Sequence, residues 1–322
     1  MNRIASVLLD RYGIIMKNRL RSPISQYVGI PDPVPADWKV DAWDEQRQPS
    51  VITFTEEHHG EAVETQFHFQ SRCQENGDAN KECTGLYVPG APGSQIDVIV
   101  VHGWKSSSLG SVKKMFHEPM GAEGYNLFFM ELPHHLHRKM PESGFSGEYM
   151  ISANIARTIL SVQQAVKDVV DLVVWSRAQG HRTVVIGTSL GGLVTNLFGC
   201  TGTPVDALIS IMYATNTAYL VWNSAIAKFI KKDLVAAGVT YSQLERVWEA
   251  INPLRYRLCV PKEKVLLISG SHDVFITAVD SQRLWEGWAK PKRIILPCGH
   301  GGMNVLPKQI AGEVLAFLRN LL

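Results

Sequence analysis

The stretch from residue 183 to residue 192 constrains the fold more than any other part of this chain. It reads Thr-Val-Val-Ile-Gly-Thr-Ser-Leu-Gly-Gly, so an apolar strand ends in Gly-x-Ser-x-Gly centred on Ser189, and an apolar segment follows. Such a strand-to-helix turn, a nucleophile elbow, lifts the serine above the sheet edge, and only small residues fit beside it. The alternative interpretation is an ordinary surface turn between a strand and a helix.

The rest of the chain predicts the sheet that this turn requires. Three strand-like segments, at about 51–55, 65–70 and 85–90, form an opening antiparallel section. Strand-like and helical segments then alternate, which indicates a parallel sheet with helices on both faces. Besides the turn itself, the predicted strands lie at 96–101, 125–130, 205–213, 264–269 and 292–296, and the predicted helices at about 152–177, 280–289 and 309–321.

Two further regions stand apart from this alternation. Residues 1–50 contain a helix, on which Ile4, Leu8, Tyr12 and Ile15 share one face, and then a proline-rich arm. We expect that face to pack on the domain or on a partner in a homodimer, and attachment to a membrane surface is the alternative. Residues 51–322 form the main domain. Within it, residues 215–261 interrupt the alternation with two predicted helices, at 218–236 and 244–251, and we interpret them as a cap.

Composition excludes several classes of function. The 322 residues are 45% hydrophobic and 19% charged, with a formal net charge of +2, so the chain offers no basic face for nucleic acid. No apolar run reaches the length of about 18 residues that an integral membrane span needs. The five cysteines have irregular spacing and form no Cys-x-x-Cys pair. We therefore expect a cytoplasmic protein with free thiols, although Cys73 and Cys83 could pair in an oxidising compartment.

Two later strand ends supply the partners that a nucleophilic serine needs. A serine hydroxyl is activated by a base, and the base is oriented by an acceptor. Asp273 follows the strand at 264–269, and His300 follows the strand at 292–296. We predict Ser189, Asp273 and His300 as a catalytic triad. Asp280 is a weaker candidate for the acid, and His272 competes with His300 for the role of base.

An oxyanion formed at Ser189 would need two backbone N–H donors. Leu190 supplies one, at the start of the following helix, and the loop His102-Gly103-Trp104 supplies the other, from Trp104 or from Gly103. That loop could instead be a plain tight turn. We expect His102, His134 and His135 to line the substrate pocket. His134, His135 and His137 also allow a zinc site or simple loop polarity as alternatives.

Taken as a set, the triad order, the His-Gly-Trp loop, Gly-Thr-Ser-Leu-Gly and Cys298-Gly299-His300 resemble the α/β-hydrolase superfamily. The resemblance covers about residues 51–322. It implies a mostly parallel, eight-stranded sheet and hydrolysis through an acyl-serine intermediate. Residues 131–138 and 144–148 are similar to a poorly characterised branch of α/β-hydrolase-domain proteins, and that likeness gives no substrate.

The residues and the resemblance together predict a serine hydrolase that cleaves a small-molecule carboxylic ester without a cofactor or a metal. The same triad would also serve an acyltransferase, a thioesterase or a peptidase. A binding protein with an inert triad is a third hypothesis, from a different class. The N-terminal helix and arm are suited to a homodimer contact.

Overall fold

The computed structural model describes residues 2–40, 48–59, 62–73 and 75–322 of the protein. Met1 and residues 41–47, which belong to the expected N-terminal region, lie outside the described residues. The helices within the described residues are α1 (Arg3–Arg19), α2 (Gly110–Ala122), α3 (Ile155–Ala178), α4 (Leu190–Phe198), α5 (Thr217–Asn223), α6 (Lys228–Ala236), α7 (Tyr241–Trp248), α8 (Ala278–Gly287), α9 (Gly302–Val305) and α10 (Pro307–Leu318).

One mostly parallel sheet forms the centre of the fold. Its strands, within the described residues, are β1 (Thr53–His59), β2 (Ala62–Gln70), β3 (Glu82–Val88), β4 (Ile96–Val101), β5 (Asn126–Met130), β6 (Arg182–Thr188), β7 (Ala207–Ile211), β8 (Val265–Gly270) and β9 (Lys292–Leu296). The spatial order is β1-β2-β3-β5-β4-β6-β7-β8-β9. In this order, the first three neighbouring pairs (β1 with β2, β2 with β3, and β3 with β5) are antiparallel. All the following pairs, from β5 with β4 to β8 with β9, are parallel.

The structure confirms the predicted mixture of parallel strands and helices, but the sheet has nine strands among the described residues, not the eight that the resemblance implied. The reason is local. The section before residue 96 forms three antiparallel strands, since β1 pairs with β2 over seven residues, from Thr53 with His68 to His59 with Ala62. The carboxyl ends of β4, β6, β8 and β9 remain at one edge, where the predicted site residues lie.

Helices cover both faces of the sheet, and the strands are apolar on both sides for that reason. Alternate residues of β4 illustrate this arrangement. Ile99 and Val101 pack with residues of α3 and α4, whereas Val98 and Val100 pack with residues of α2 and α10. The elbow strand β6 is buried from residue 183 to residue 188. The sheet is therefore a rigid base for the loops at its edge.

The helices differ from the predicted ones at two places. The helix expected at 218–236 is broken into α5 and α6, because Ser224 has an extended backbone (φ −95°, ψ 134°) and ends α5. Serine and asparagine at 223–224 compete for backbone hydrogen bonds and favour such a break. Helix α2 was not predicted, and it carries Pro119 in its interior. Thr240 and Gln243 form a capping box at the start of α7.

None of the described helices combines the length and the apolarity that crossing a membrane requires. All five cysteines are free, and only Cys259 is exposed. Burial raises the pKa of the Cys73 thiol to about 11, so this side chain is a neutral thiol near neutral pH. The prediction of free thiols is confirmed.

Candidate active site

Ser189 lies at the sharp turn between β6 and α4. Its backbone has φ 56° and ψ −113°, a conformation that non-glycine residues rarely adopt. The flanking glycines are required by space. A Cβ on Gly187 would lie 2.1 Å from the Gly191 carbonyl oxygen, and a Cβ on Gly191 would lie 2.2 Å from that of Val101. The sequence pattern therefore forms the elbow that it predicted, and Ser189 lines a cavity.

The structure brings Ser189, His300 and Asp273 together. The His300 Nε2 atom lies 3.0 Å from the Ser189 hydroxyl oxygen, and Nδ1 lies 2.8 Å from Asp273 Oδ2. The other oxygen of Asp273 accepts the N–H groups of Phe275 and Ile276, each at 2.8 Å. Asp273 is thus fixed by its own loop while it accepts a hydrogen bond from the imidazole. This is the geometry of a nucleophile, a base and an orienting acid.

The surroundings of His300 favour its protonated form. Burial by itself lowers the pKa of the imidazole, but the Asp273 carboxylate, by charge and hydrogen bond, and then Asp10 raise it, and the net pKa lies above the ordinary value. The Phe275 ring stacks on the imidazole, with centroids 4.6 Å apart and planes 11° apart. The stacking restricts rotation of the ring. Phe275 has no recognisable motif, and the sequence analysis missed it.

Asp10 is the other residue that the sequence analysis missed. It lies on α1, is 1% exposed, and accepts three backbone N–H groups from the two loops of the site. Its Oδ2 atom binds His300 N at 2.8 Å and Val274 N at 3.1 Å, and Oδ1 binds Gly301 N at 2.8 Å. The available signal was a single acidic residue that interrupts the apolar run Val7-Leu8-Leu9.

Two loops lie where donors for an oxyanion are expected. Leu190 is the first residue of α4, so its N–H group has no acceptor within the helix. The backbone of Gly103 approaches Ser189 closely, because a Cβ on Gly103 would lie 3.2 Å from Ser189 Cβ. Trp104 follows, and its indole N–H donates to the Gly147 carbonyl at 2.8 Å. The roles of Leu190, Trp104 and Gly103 as donors stay predictions.

His102 lines the cavity, but both of its ring nitrogens are used within the protein. Nδ1 donates to the Gly103 carbonyl at 2.8 Å, and Nε2 accepts the Leu132 N–H at 3.1 Å. Burial lowers the pKa of His102 to about 4, so the ring is neutral near neutral pH. His102 therefore holds the backbone of its own loop in place.

His134 and His135 lie behind the cavity wall, not in it, and this corrects the expectation that they line the pocket. Both are at most 1% exposed. His135 Nε2 accepts the Lys105 N–H at 3.3 Å, while His134 binds Asn80 through its backbone N–H at 2.8 Å and through Nδ1 at 3.1 Å. Burial lowers the pKa of His134 to about 3. These imidazoles are neutral supports of the loop after β5.

The zinc alternative has no support in the described residues, where no group of three or more His, Cys, Asp or Glu side chains is arranged to hold a metal ion. His137, unlike the other two, is largely exposed, and its Nδ1 atom lies 2.7 Å from Glu131 Oε1. Nearby, Arg138 forms a fully buried ion pair with Asp168 at 2.9 Å. The polar residues of this segment fasten the loop to α3.

The two alternative site residues have other roles. Asp280 accepts the N–H groups of Thr215 and Asn216, at 2.8 and 3.1 Å, and so holds the loop after β7. Burial raises its pKa to about 6. The backbone N–H of His272 donates to the Cys298 carbonyl at 3.0 Å, and His272 lines a different, shallow cavity with Arg3. Among the described hydrogen bonds, neither side chain reaches Ser189.

The cavity beside Ser189 has a volume of about 390 Å³. Its apolar wall includes Met115 of α2, Leu193 of α4, and Leu220 and Ile226 from the segment between β7 and β8. Helix α1 forms a further wall of the cavity, to which it contributes Lys17. Lys105, from the loop after β4, also lines the cavity. The cavity therefore offers a mostly apolar volume next to a serine, a base and candidate oxyanion donors.

Comparisons with known proteins agree with this architecture. No family model matches the chain. The uncharacterized protein YdjC of Bacillus subtilis (strain 168) is 38% identical over 115 residues, which are 36% of this chain and 99% of that protein. The acetyl xylan esterase from Paenibacillus sp. R4 superposes with a TM-score of 0.65 at 13% identity, covering 96% of this chain and 99% of that one. Acetyl Xylan Esterase 1 from Thermoanaerobacterium sp. JW/SL YS485 superposes with a TM-score of 0.62 at 15% identity, covering 88% of this chain and 96% of that one.

Proposed function

We propose that this chain, which belongs to the family of Bacillus subtilis YdjC, is a serine hydrolase of the α/β-hydrolase superfamily that cleaves a carboxylic ester. One observation carries the proposal. His300 lies within hydrogen-bond distance of Ser189 on one side and of Asp273 on the other. These residues come from three separate loops, and a purely structural role would not require a hydroxyl, an imidazole and a carboxylate in this order.

The proposed reaction has two halves. Ser189 Oγ attacks the acyl carbon while His300 Nε2 takes its proton, and the N–H groups of Leu190 and of Trp104 or Gly103 stabilise the oxyanion. His300 then gives the proton to the leaving alcohol, and an acyl-serine remains. In the second half, His300 takes a proton from water as the water oxygen attacks the acyl carbon. The bond from the acyl carbon to Ser189 Oγ then breaks, His300 returns the proton to Ser189 Oγ, and the carboxylic acid leaves. Asp273 holds the imidazole in the required tautomer and stabilises the imidazolium.

The shape of the site supports an apolar acyl group. The wall formed by Met115, Leu193, Leu220 and Ile226 offers hydrocarbon surface beside Ser189. We propose that residues 215–261 act as a cap, because Leu220 and Ile226 from that segment border the cavity. Two structural neighbours are named as acetyl xylan esterases, which supports an ester as the scissile bond. A small-molecule ester is therefore the proposed substrate.

The test is covalent labelling of Ser189. A fluorophosphonate probe is expected to add once to the wild type, and peptide mass analysis is expected to find the adduct on Ser189. Ser189→Ala should lose both labelling and p-nitrophenyl ester hydrolysis. Ser94→Ala is a matched control, since Ser94 precedes β4 (Ile96–Val101), whereas the loop of Gly103 follows that strand. Hydrolysis by Ser189→Ala at the wild-type rate would refute the proposal.

Other predictions concern the acceptor and the assembly. An acyltransferase, thioesterase or peptidase would use the same triad, and product analysis with alcohol, thiol and amine acceptors separates these reactions. A binding protein with an inert triad would resist the probe while folded. The homodimer, the cytoplasmic location and the lack of a cofactor also stay predictions. Sedimentation of the intact chain decides the first of these.

A further inference from the structure

Helix α1 is built into the candidate site although it comes from the opposite end of the chain. Asp10, Tyr12, Gly13 and Lys17 of this helix line the cavity that contains Ser189. The end of the helix is also fastened to the loop after β4, because Lys105 Nζ donates to the carbonyls of Lys17 and Leu20, at 3.1 and 2.9 Å. The helix is therefore a wall of the site.

Asp10 is the contact that reaches the base. Its carboxylate accepts N–H groups from His300, Gly301 and Val274, so it joins the loop of the base to the loop of the acid. The absence of a side chain at Gly299 leaves space for this carboxylate, since a Cβ there would lie 2.5 Å from Asp10 Oδ2. Hydrogen bonds from uncharged N–H groups to a buried carboxylate are short and strong.

We propose that Asp10 is a positioning residue of this site, which holds the backbone of His300 so that the imidazole spans Ser189 and Asp273. The inference rests on the proposed function, and it assigns Asp10 no contact with substrate. Catalysis is sensitive to such positioning, because a displacement of about 1 Å can reduce the rate about 100-fold. Two hydrogen bonds to the consecutive positions His300 and Gly301, and a third to Val274 on the loop of the acid, are suited to prevent that displacement.

Electrostatics gives the proposal a second, separable consequence. The charged groups facing His300 are Asp273 from the loop after β8 and Asp10 from α1, and both raise its pKa. The thiol of Cys298, on the same loop as His300, is neutral near neutral pH, because burial raises its pKa to about 11. Lys17 and Lys105 line the same cavity. Removal of the Asp10 charge should therefore lower the pKa of His300.

A simpler role for Asp10 would be to attach α1 to the domain. Asn18 provides a matched control for that role, since it is a buried polar residue of the same helix and its Nδ2 donates to the Ala225 carbonyl at 3.0 Å. It touches neither Ser189, His300 nor Asp273 among the described contacts. If attachment alone mattered, Asp10→Asn and Asn18→Ala would have similar consequences.

The experiment compares Asp10→Asn, Asp10→Glu and Asn18→Ala in the full chain. Asp10→Asn keeps the size but removes the charge and one acceptor atom, so kcat should fall about 100-fold with little change in KM. The acid limb of its kcat/KM profile should move to lower pH. Asp10→Glu keeps the charge but displaces it, so kcat should fall while the acid limb stays in place. Asn18→Ala should keep wild-type kcat and pH profile.

A readout without turnover separates this inference from the proposed function. The pKa of His300, followed by NMR and assigned with His300→Gln, should be lower in Asp10→Asn than in the wild type. If Ser189→Ala shows that the chain is not a serine hydrolase, this shift still supports the positioning role. An unchanged His300 pKa overturns it. If Asp10→Asn does not fold, wild-type kcat in Asp10→Glu overturns it instead.

Discussion

The two longest described helices differ in how much apolar surface they bury. Helix α3, with 24 residues, buries apolar side chains such as Ile159, Val162 and Val166. Helix α1, with 17 residues, buries mainly polar ones, and its buried residues are Ser6, Asp10, Ile14 and Asn18. The four side chains of its predicted apolar face are mostly exposed, with Ile4 at 73%, Leu8 at 59%, Tyr12 at 61% and Ile15 at 60%.

The difference shows that the two helices are held by different forces. Removal of apolar area from water holds α3 against the sheet. Helix α1 is held by directed polar contacts, through Asp10 to the loops of the base and the acid and through Lys105 to its last carbonyls. The expectation that the face of Ile4, Leu8, Tyr12 and Ile15 packs on the domain is therefore wrong. That the same face contacts a second copy of the chain stays a prediction.

The largest expected effect concerns the aspartate at the sheet edge. Asp273→Asn should reduce kcat on the order of 10⁴-fold, because an amide favours the wrong imidazole tautomer and no longer stabilises the imidazolium. Steady-state hydrolysis of a p-nitrophenyl ester measures it. The loss should exceed that of Asp10→Asn, since Asp273 binds the ring of His300 and Asp10 binds its backbone.

Asp280→Asn is the matched control, because Asp280 is the alternative acid and is also buried, at 2% exposure. It should leave kcat within about tenfold of the wild type, since its carboxylate binds the loop at Thr215 and Asn216 and does not reach His300. A loss at Asp280 equal to the loss at Asp273 would contradict the assigned triad.

A pair of truncations compares the two helices directly. Ile159→Ala removes a fully buried side chain of α3 and should lower the free energy of unfolding by about 2–5 kcal/mol. Leu8→Ala removes a side chain of α1 that is 59% exposed and should change it by no more than about 0.5 kcal/mol. Urea unfolding measures both.

The Leu8 variant also tests what covers the outer face of α1. Unfolding at several protein concentrations should give one value if the face meets only water. A loss that grows with protein concentration would mean that a second copy buries Leu8, as the homodimer prediction requires. A loss as large as that of Ile159→Ala at every concentration would contradict the comparison of the two helices.

The parts of the site that the sequence predicted are those with strong local rules. Gly187, Ser189 and Gly191 follow a pattern that steric exclusion enforces, and the structure shows the clashes that larger residues would meet. Asp273 and His300 were found because parallel strands place their carboxyl ends at one edge. The same rule predicted the loop of Gly103. Local chemistry and sheet topology were sufficient for these residues.

The residues that were missed or misplaced depend on contacts between distant segments. Asp10 meets His300 across 290 positions, and no spacing rule connects them. His134 and His135 follow a strand end, like His300, but both are buried, where His134 binds Asn80 and His135 accepts the Lys105 N–H. The residues next to them in the sequence are compatible with side chains that line the cavity and with side chains that are buried in the interior. For α1, the apolar periodicity was real, but the polar contacts of the opposite face determined which side is buried.

An effect smaller than that of Ile159→Ala is expected at Lys105, which joins α1 to the loop after β4. Burial, and then the charge of Lys17, lower the pKa of Lys105 from 10.5 to about 8. Between these values the unfolded chain binds the proton and the folded chain does not, so the wild type gains stability as pH rises through that window.

The variant Lys105→Met lacks this gain. At pH 7 it should lose about 1 kcal/mol, because two carbonyls of α1 lose their donor. Urea unfolding at pH 7 and at pH 10 should give a difference between wild type and variant that is larger at pH 10. A difference that does not grow with pH would mean that Lys105 keeps its proton through the window, and that α1 is attached to the loop by an ammonium group.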